Sequence, residues 1–196
     1  MQGKCKMTPE SLLNTLRCAI SPPTRPDDVL GELTSSRIGP GLHVPPDYRH
    51  FLDIYGPGAF MEGDIVSLRV YDVITEGRDD AFESTVLLEK NNLAHRLDPK
   101  KMYPDKPGLL PWGDFEQGYT FYWLIDGRAD RWKVVVDARS EFIVYDMGML
   151  EFLVRNVTVN NPAEFFDDGA DRFTGYCTLT QCKRMVNRTM PADGDV

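Results

Sequence analysis

Asp114 and Glu116 stand two residues apart in the stretch LPWGDFEQGYTFYWLIDG (110–127), and Asp126 and Asp130 flank the turn that follows. Two carboxylates across a cleft, one protonated and one ionised, are what glycoside hydrolysis requires. Acids beside a turn are more commonly solvated, and these four are read that way. The three histidines, His43, His50 and His95, share no metal-ligand spacing. No GxSxG elbow, HExxH helix or phosphate loop ending in GK[ST] occurs, and the GPG triplets at 39 and 56 read as turns. The expectation is a chain with no catalytic residues, no metal and no cofactor. An enzyme acting on a small molecule through the acids near residue 114 is kept as an alternative.

The same stretch is dense in aromatic residues: Trp112, Phe115, Tyr119, Phe121, Tyr122 and Trp123. Two readings stay open. The rings can pack a core, or they can floor a recognition groove with acidic rims. The apolar run 119–125 reads as a central strand covered on at least one face, and 110–118 reads as the turn in front of it.

These residues need a scaffold, and 196 residues suit one domain with a sizeable core. The formal net charge of −8 disfavours a nucleic-acid binder, whose phosphate contacts need clustered Lys and Arg. It suits attraction of a basic protein partner, and it also serves solubility. No run reaches the roughly 18 to 20 apolar residues that a membrane helix needs, and MQGKCKMTPESLL lacks a signal-peptide core. A cytoplasmic protein is expected. Cys5, Cys18, Cys177 and Cys182 lie near the two ends without zinc-type spacing. Free thiols are expected, with a disulfide or metal clip between the ends as the alternative.

Leu12, Leu13, Leu16 and Ile20 mark a helix over 10–20, and Val29, Leu30 and Leu33 a second over 27–37. Tyr48, Phe51, Leu52 and Tyr55 give the clearest helix, over 45–56, followed by a GPGAF turn. DIVSLRV reads as a strand, 79–97 as a helix, and 98–108 as a proline-rich loop. YTFYWLI, WKVVV and EFIVY read as consecutive strands, and GMLEFLVRNV (148–157) as a helix. The order predicts an α+β domain with a central, mostly antiparallel or mixed sheet of about six strands flanked by helices. Residues 1–42 read as N-terminal helices and a Pro/Gly-rich linker packed on a core of 43–160. Residues 161–196 read as an acidic extension, in which GYCTLTQC supplies an edge strand before a loose tail.

Three motifs occur in order: VPPDYRHFLDIYGPGAF (44–60), LLPWGDFEQGYTFYWLIDG (109–127), and WKVVV with the following GMLEFLV. Together they resemble the SUKH superfamily, in its actinobacterial form, over residues 10 to about 158. That superfamily comprises cell-wall-synthesis regulators and bacterial immunity proteins. Val44 stands where the family usually has Leu, and the second helix lacks a tryptophan often found there. The resemblance implies a non-enzymatic binding module, often an immunity protein that neutralises a toxin, many such toxins being nucleases with basic active sites. An intracellular scaffold or regulator of cell-wall or signalling proteins is the alternative. It also implies a partner-binding groove bordered by Trp112, Gly113, Asp114, Glu116, Trp123 and Asp126.

Overall fold

Leu12, Leu13, Leu16 and Ile20 do form one buried stripe, and they anchor helix α1 (Pro9–Ala19). The Thr8 hydroxyl caps it by accepting from the Ser11 N–H at 3.3 Å. Helix α2 (Pro46–Tyr55) buries Tyr48, Phe51, Leu52 and Tyr55 and ends at Gly56, whose φ of 68° suits glycine. The Tyr55 hydroxyl donates to the Ile20 carbonyl at 2.6 Å and ties the two helices together. In this computed structural model the described residues are 7–24, 43–74, 85, 101–116, 118–138, 141–158 and 173–189.

Among the described residues seven strands make one sheet: β1 (Gly58–Glu62), β2 (Ile65–Val70), β3 (Gly108–Phe115), β4 (Tyr119–Ile125), β5 (Lys133–Asp137), β6 (Phe142–Tyr145) and β7 (Gly175–Thr178). Their order is β6-β5-β4-β3-β2-β1-β7, and each neighbouring pair of strands is antiparallel. Two further helices are α3 (Met149–Val157) and α4 (Leu179–Thr189). The α+β single-domain expectation therefore holds, with seven strands in place of about six. GYCT does supply an edge strand, β7. Among the described residues no helix is long and apolar enough to cross a membrane.

Side chains alternate across a sheet, so each face has its own cover. Phe60 of β1 joins the main core with Leu68, Trp112, Phe121, Trp123 and Val136, under the apolar stripes of α1, α2 and α3. Ala59 and Met61, its neighbours in sequence, face the other way and pack with Cys177, Cys182 and Met185 beneath α4.

Three expectations are corrected. GPGAF is not only a turn, because β1 begins at Gly58 and pairs on both sides. A side chain at residue 58 would overlap the Cys177 carbonyl of β7, which is why glycine stands inside a strand. Residues 110–118 are not the turn before β4. β3 runs through Phe115, and the turn closes where the Gly118 N–H meets the Phe115 carbonyl at 2.9 Å. Pro111 and Gly113 argue against a strand in sequence, but a register shift between them accommodates the proline. Finally, Cys177 and Cys182 are joined in a disulfide, whereas Cys18 is a free, exposed thiol. The pair is local to the C-terminal segment and does not clip the two ends together. The helices expected over 27–37 and 79–97 lie outside the described residues, apart from Thr85, as do 161–172 and 190–196.

Candidate functional site

The six residues of the expected groove do not share one surface. Trp112 and Trp123 have no solvent exposure, and their rings lie 6.1 Å apart in the main core. Trp112 packs on Phe121 at 5.2 Å, and Trp123 meets the edge of Tyr48 at 5.0 Å. Gly113 is buried where β3 runs close to the Arg69 carbonyl of β2. Glu116 and Asp126 are exposed, but they flank opposite ends of β4, whose seven residues separate them by roughly 20 Å. Of the described histidines, His43 and His50 are both exposed.

Asp114 has a structural role. It pairs with Arg69 across β2 and β3, in register, through both carboxylate oxygens. The Tyr71 hydroxyl donates to the same carboxylate at 2.7 Å and lies 3.0 Å from the Thr85 hydroxyl. Burial, and then the Asp114 charge, push the Tyr71 hydroxyl well above the ordinary tyrosine range, so it remains a neutral donor. Glu116 accepts from the Ser67 hydroxyl at 3.1 Å. The Asp114 carboxylate thus accepts from Arg69 and Tyr71 within the sheet.

A different place gathers apolar surface and acids. The N-terminal ends of α1, α2 and α3 meet the Ala129–Arg131 3-10 turn around a cleft of about 310 Å³. Leu12, Pro45, Pro46 and Trp132 give it an apolar lining, with Asp47, Asp130 and Glu151 among them. Trp132 is held by its indole N–H, which donates to the Gly127 carbonyl at 3.3 Å. None of the six expected residues lines this cleft; Asp126 stands three residues before the turn that does. Asp130 is exposed and receives two bonds from Arg128, at 3.1 and 3.2 Å, which hold its carboxyl below the ordinary range. Glu151 pairs with Arg155 one helical turn on.

Asp47 explains why α2 and α3 start side by side. One carboxylate oxygen accepts from the Tyr48 N–H at 2.8 Å, and the other from the Leu150 N–H at 3.1 Å. Leu150 lies in the first turn of α3, whose own cap position is Gly148, with no side chain to offer. A Cβ at residue 148 would come within 2.5 Å of the Asp47 carboxylate, so glycine leaves room for the cap supplied from α2. Sequence reading missed this. Its trace is a helix beginning GML without a Ser, Thr, Asp or Asn of its own.

Burial raises the Asp47 carboxyl above its ordinary value, against the opposing pull of the Leu150 and Tyr48 N–H groups. The folded chain therefore holds this proton more tightly than the unfolded chain. Its contribution is greatest below the unfolded value, about 3.9, and declines as pH rises through the window above it. Urea unfolding of the wild type and Asp47→Asn from about pH 4 to pH 7 is expected to show the wild type's relative stability falling as pH rises. A relative stability that climbs over that range contradicts the assignment.

Comparison with protein-family models, with curated proteins and with solved structures finds no match for this chain.

Proposed function

We propose that this chain is a non-enzymatic protein-binding module of SUKH type that holds one basic protein and, as an immunity protein, neutralises it. The observation that carries the binding surface is the α1–α2–α3 cleft, with its apolar lining and acidic rim, in a chain of net charge −8. A Lys or Arg of a partner suits such a place, because its aliphatic stem covers apolar surface while its charge reaches the rim. Arg128 occupies Asp130 in the isolated chain, but an ion pair this exposed is weak and exchangeable. The long-range field steers a basic partner and makes its capture salt-dependent. The toxin half of the proposal rests on the three motifs that resemble the superfamily.

The structure also selects the variants that test it. Asp114→Lys would set a lysine opposite Arg69 in the sheet and destabilise the fold, so it cannot report on binding alone. Asp126 and Asp130 are exposed, and reversing both leaves the core untouched. Against a captured basic protein, Asp126→Lys with Asp130→Lys is expected to weaken binding at least about 10-fold at roughly 50 mM salt. The difference should shrink at roughly 300 mM salt, where screening is stronger. Equal affinities at low salt would sink the cleft as the docking surface. A spread of weak wall or signalling partners, with no single tight one, would favour the scaffold reading.

A further inference from the structure

Four sulfur-bearing side chains converge on the sheet face opposite the main core. Cys177 stands on β7, Met61 on β1, and Cys182 and Met185 on α4, all in one packed cluster. The Cys177 and Met61 sulfurs lie 3.2 Å apart. Met61 and Met185, with Cys177, also line a hollow of about 510 Å³ that reaches the surface beside Gln181 and Arg184.

The two cysteines are brought together by more than their disulfide. Thr178 and Gln181 form a reciprocal capping box at the start of α4. The Gln181 N–H donates to the Thr178 hydroxyl at 3.3 Å, and the Gln181 side-chain oxygen accepts from the Thr178 N–H at 2.8 Å. Cys177 and Cys182 then occupy the two positions that a hydrophobic staple fills, just before the cap and four residues after it. Met185 follows Cys182 by three residues and shares its helix face. Met61 is fixed by the β1–β7 register, in which Ala59 pairs with Cys177 and Met61 with Gly175. With the disulfide opened, the capping box and the sheet pairing still hold the four side chains in one cluster, beside the hollow that Met61, Cys177 and Met185 line.

We infer that the reduced chain binds one Cu(I) ion here, through the Cys177 and Cys182 thiolates with Met61 and Met185 as thioether ligands. Thiolate and thioether sulfur are soft donors that select Cu(I) over hard cations. Among the described residues no group of three or more His, Cys, Asp and Glu side chains is placed to hold a metal, so the donor set depends on the methionines. A dithiol reductant opens the disulfide by giving two electrons and two protons, and itself becomes a disulfide. Binding then releases the two thiol protons as Cu(I) enters. The disulfide form has no thiolate to offer, so the site is available only under reducing conditions. The inference is independent of the proposed partner cleft, which lies on the other side of the sheet.

The alternative is that these sulfurs only fill an apolar gap, a common use of both residue types. The 196-residue chain carrying Cys5→Ser and Cys18→Ser, which removes the other two thiols, is reduced with a phosphine and freed of it. It is then titrated with Cu(I) against bicinchoninate under anaerobic conditions. One equivalent of Cu(I) is expected to be held against the competitor by the reduced protein and none by the oxidised protein. Met61→Leu and Met185→Leu keep apolar bulk and should each weaken binding at least about 10-fold. Equal binding by oxidised and reduced protein would overturn the inference. So would unchanged affinity in both leucine variants, which would reduce the site to a pair of thiols.

Discussion

Trp123→Ala is expected to lose about 3–5 kcal/mol of folding stability, the range for emptying a large aromatic site in a packed core. Trp123 has no exposed surface and sits among Tyr48 at 5.0 Å, Trp112 at 6.1 Å and Trp132 at 6.2 Å. From β4 it joins α2 to β3 and to the turn before β5, so its loss opens a cavity where helix and sheet meet. A domain of this size commonly has about 5–15 kcal/mol in total, so the variant should be close to unfolding. Trp123→Phe is the informative companion. It keeps most of the ring and removes an indole N–H that has no hydrogen-bond partner among the described residues, and it should cost less than about 1.5 kcal/mol. Urea midpoints for the three proteins check this. An alanine variant as stable as the wild type, but impaired in binding, would restore Trp123 to a recognition groove.

Gly113→Ala should be nearly as damaging despite adding a single carbon, at about 2–3 kcal/mol. The new Cβ overlaps the Arg69 carbonyl oxygen, a backbone atom that cannot swing aside as a side chain would. The strands must separate instead, which strains the Tyr71 N–H bond to the Trp112 carbonyl at 2.9 Å. It also pulls Arg69 from Asp114, which pair one position further along. The readouts are the urea midpoint and near-ultraviolet circular dichroism of the buried tryptophans. An alanine variant that melts with the wild type would mean that β2 and β3 do not approach this closely.

Both substitutions fall on residues that sequence reading placed in a groove, and the reason is instructive. Helical stripes such as Tyr48, Phe51, Leu52 and Tyr55 were legible because the 3.6-residue period needs no partner to be recognised. β4 and β5 were legible because their apolar runs are continuous. β1 and β3 were not, because each contains residues that weaken a strand in isolation. Gly58 and Gly113 exist to let another backbone come close, and Pro111 is tolerated by a register shift. Only the neighbouring strand reveals either purpose. Asp114 read as a solvated acid, and Asp47 drew no reading, because their partners, Arg69 and Leu150, lie 45 and 103 residues away. The Thr178–Gln181 capping box and helix α4, by contrast, were present in the sequence as TLTQ before a helical run and went unread.

Hydrogen exchange of the chain, alone and bound to its captured basic partner, should be measured first. The expected result is added protection at residues 129–132 and at the N-terminal turns of α1 and α2, which contribute Ala129, Asp130, Trp132, Leu12, Pro46 and Asp47 to the cleft wall. Protection confined to the β6 edge or to α4, with residues 129–132 unchanged, would contradict docking at the cleft and move the binding surface elsewhere on the sheet.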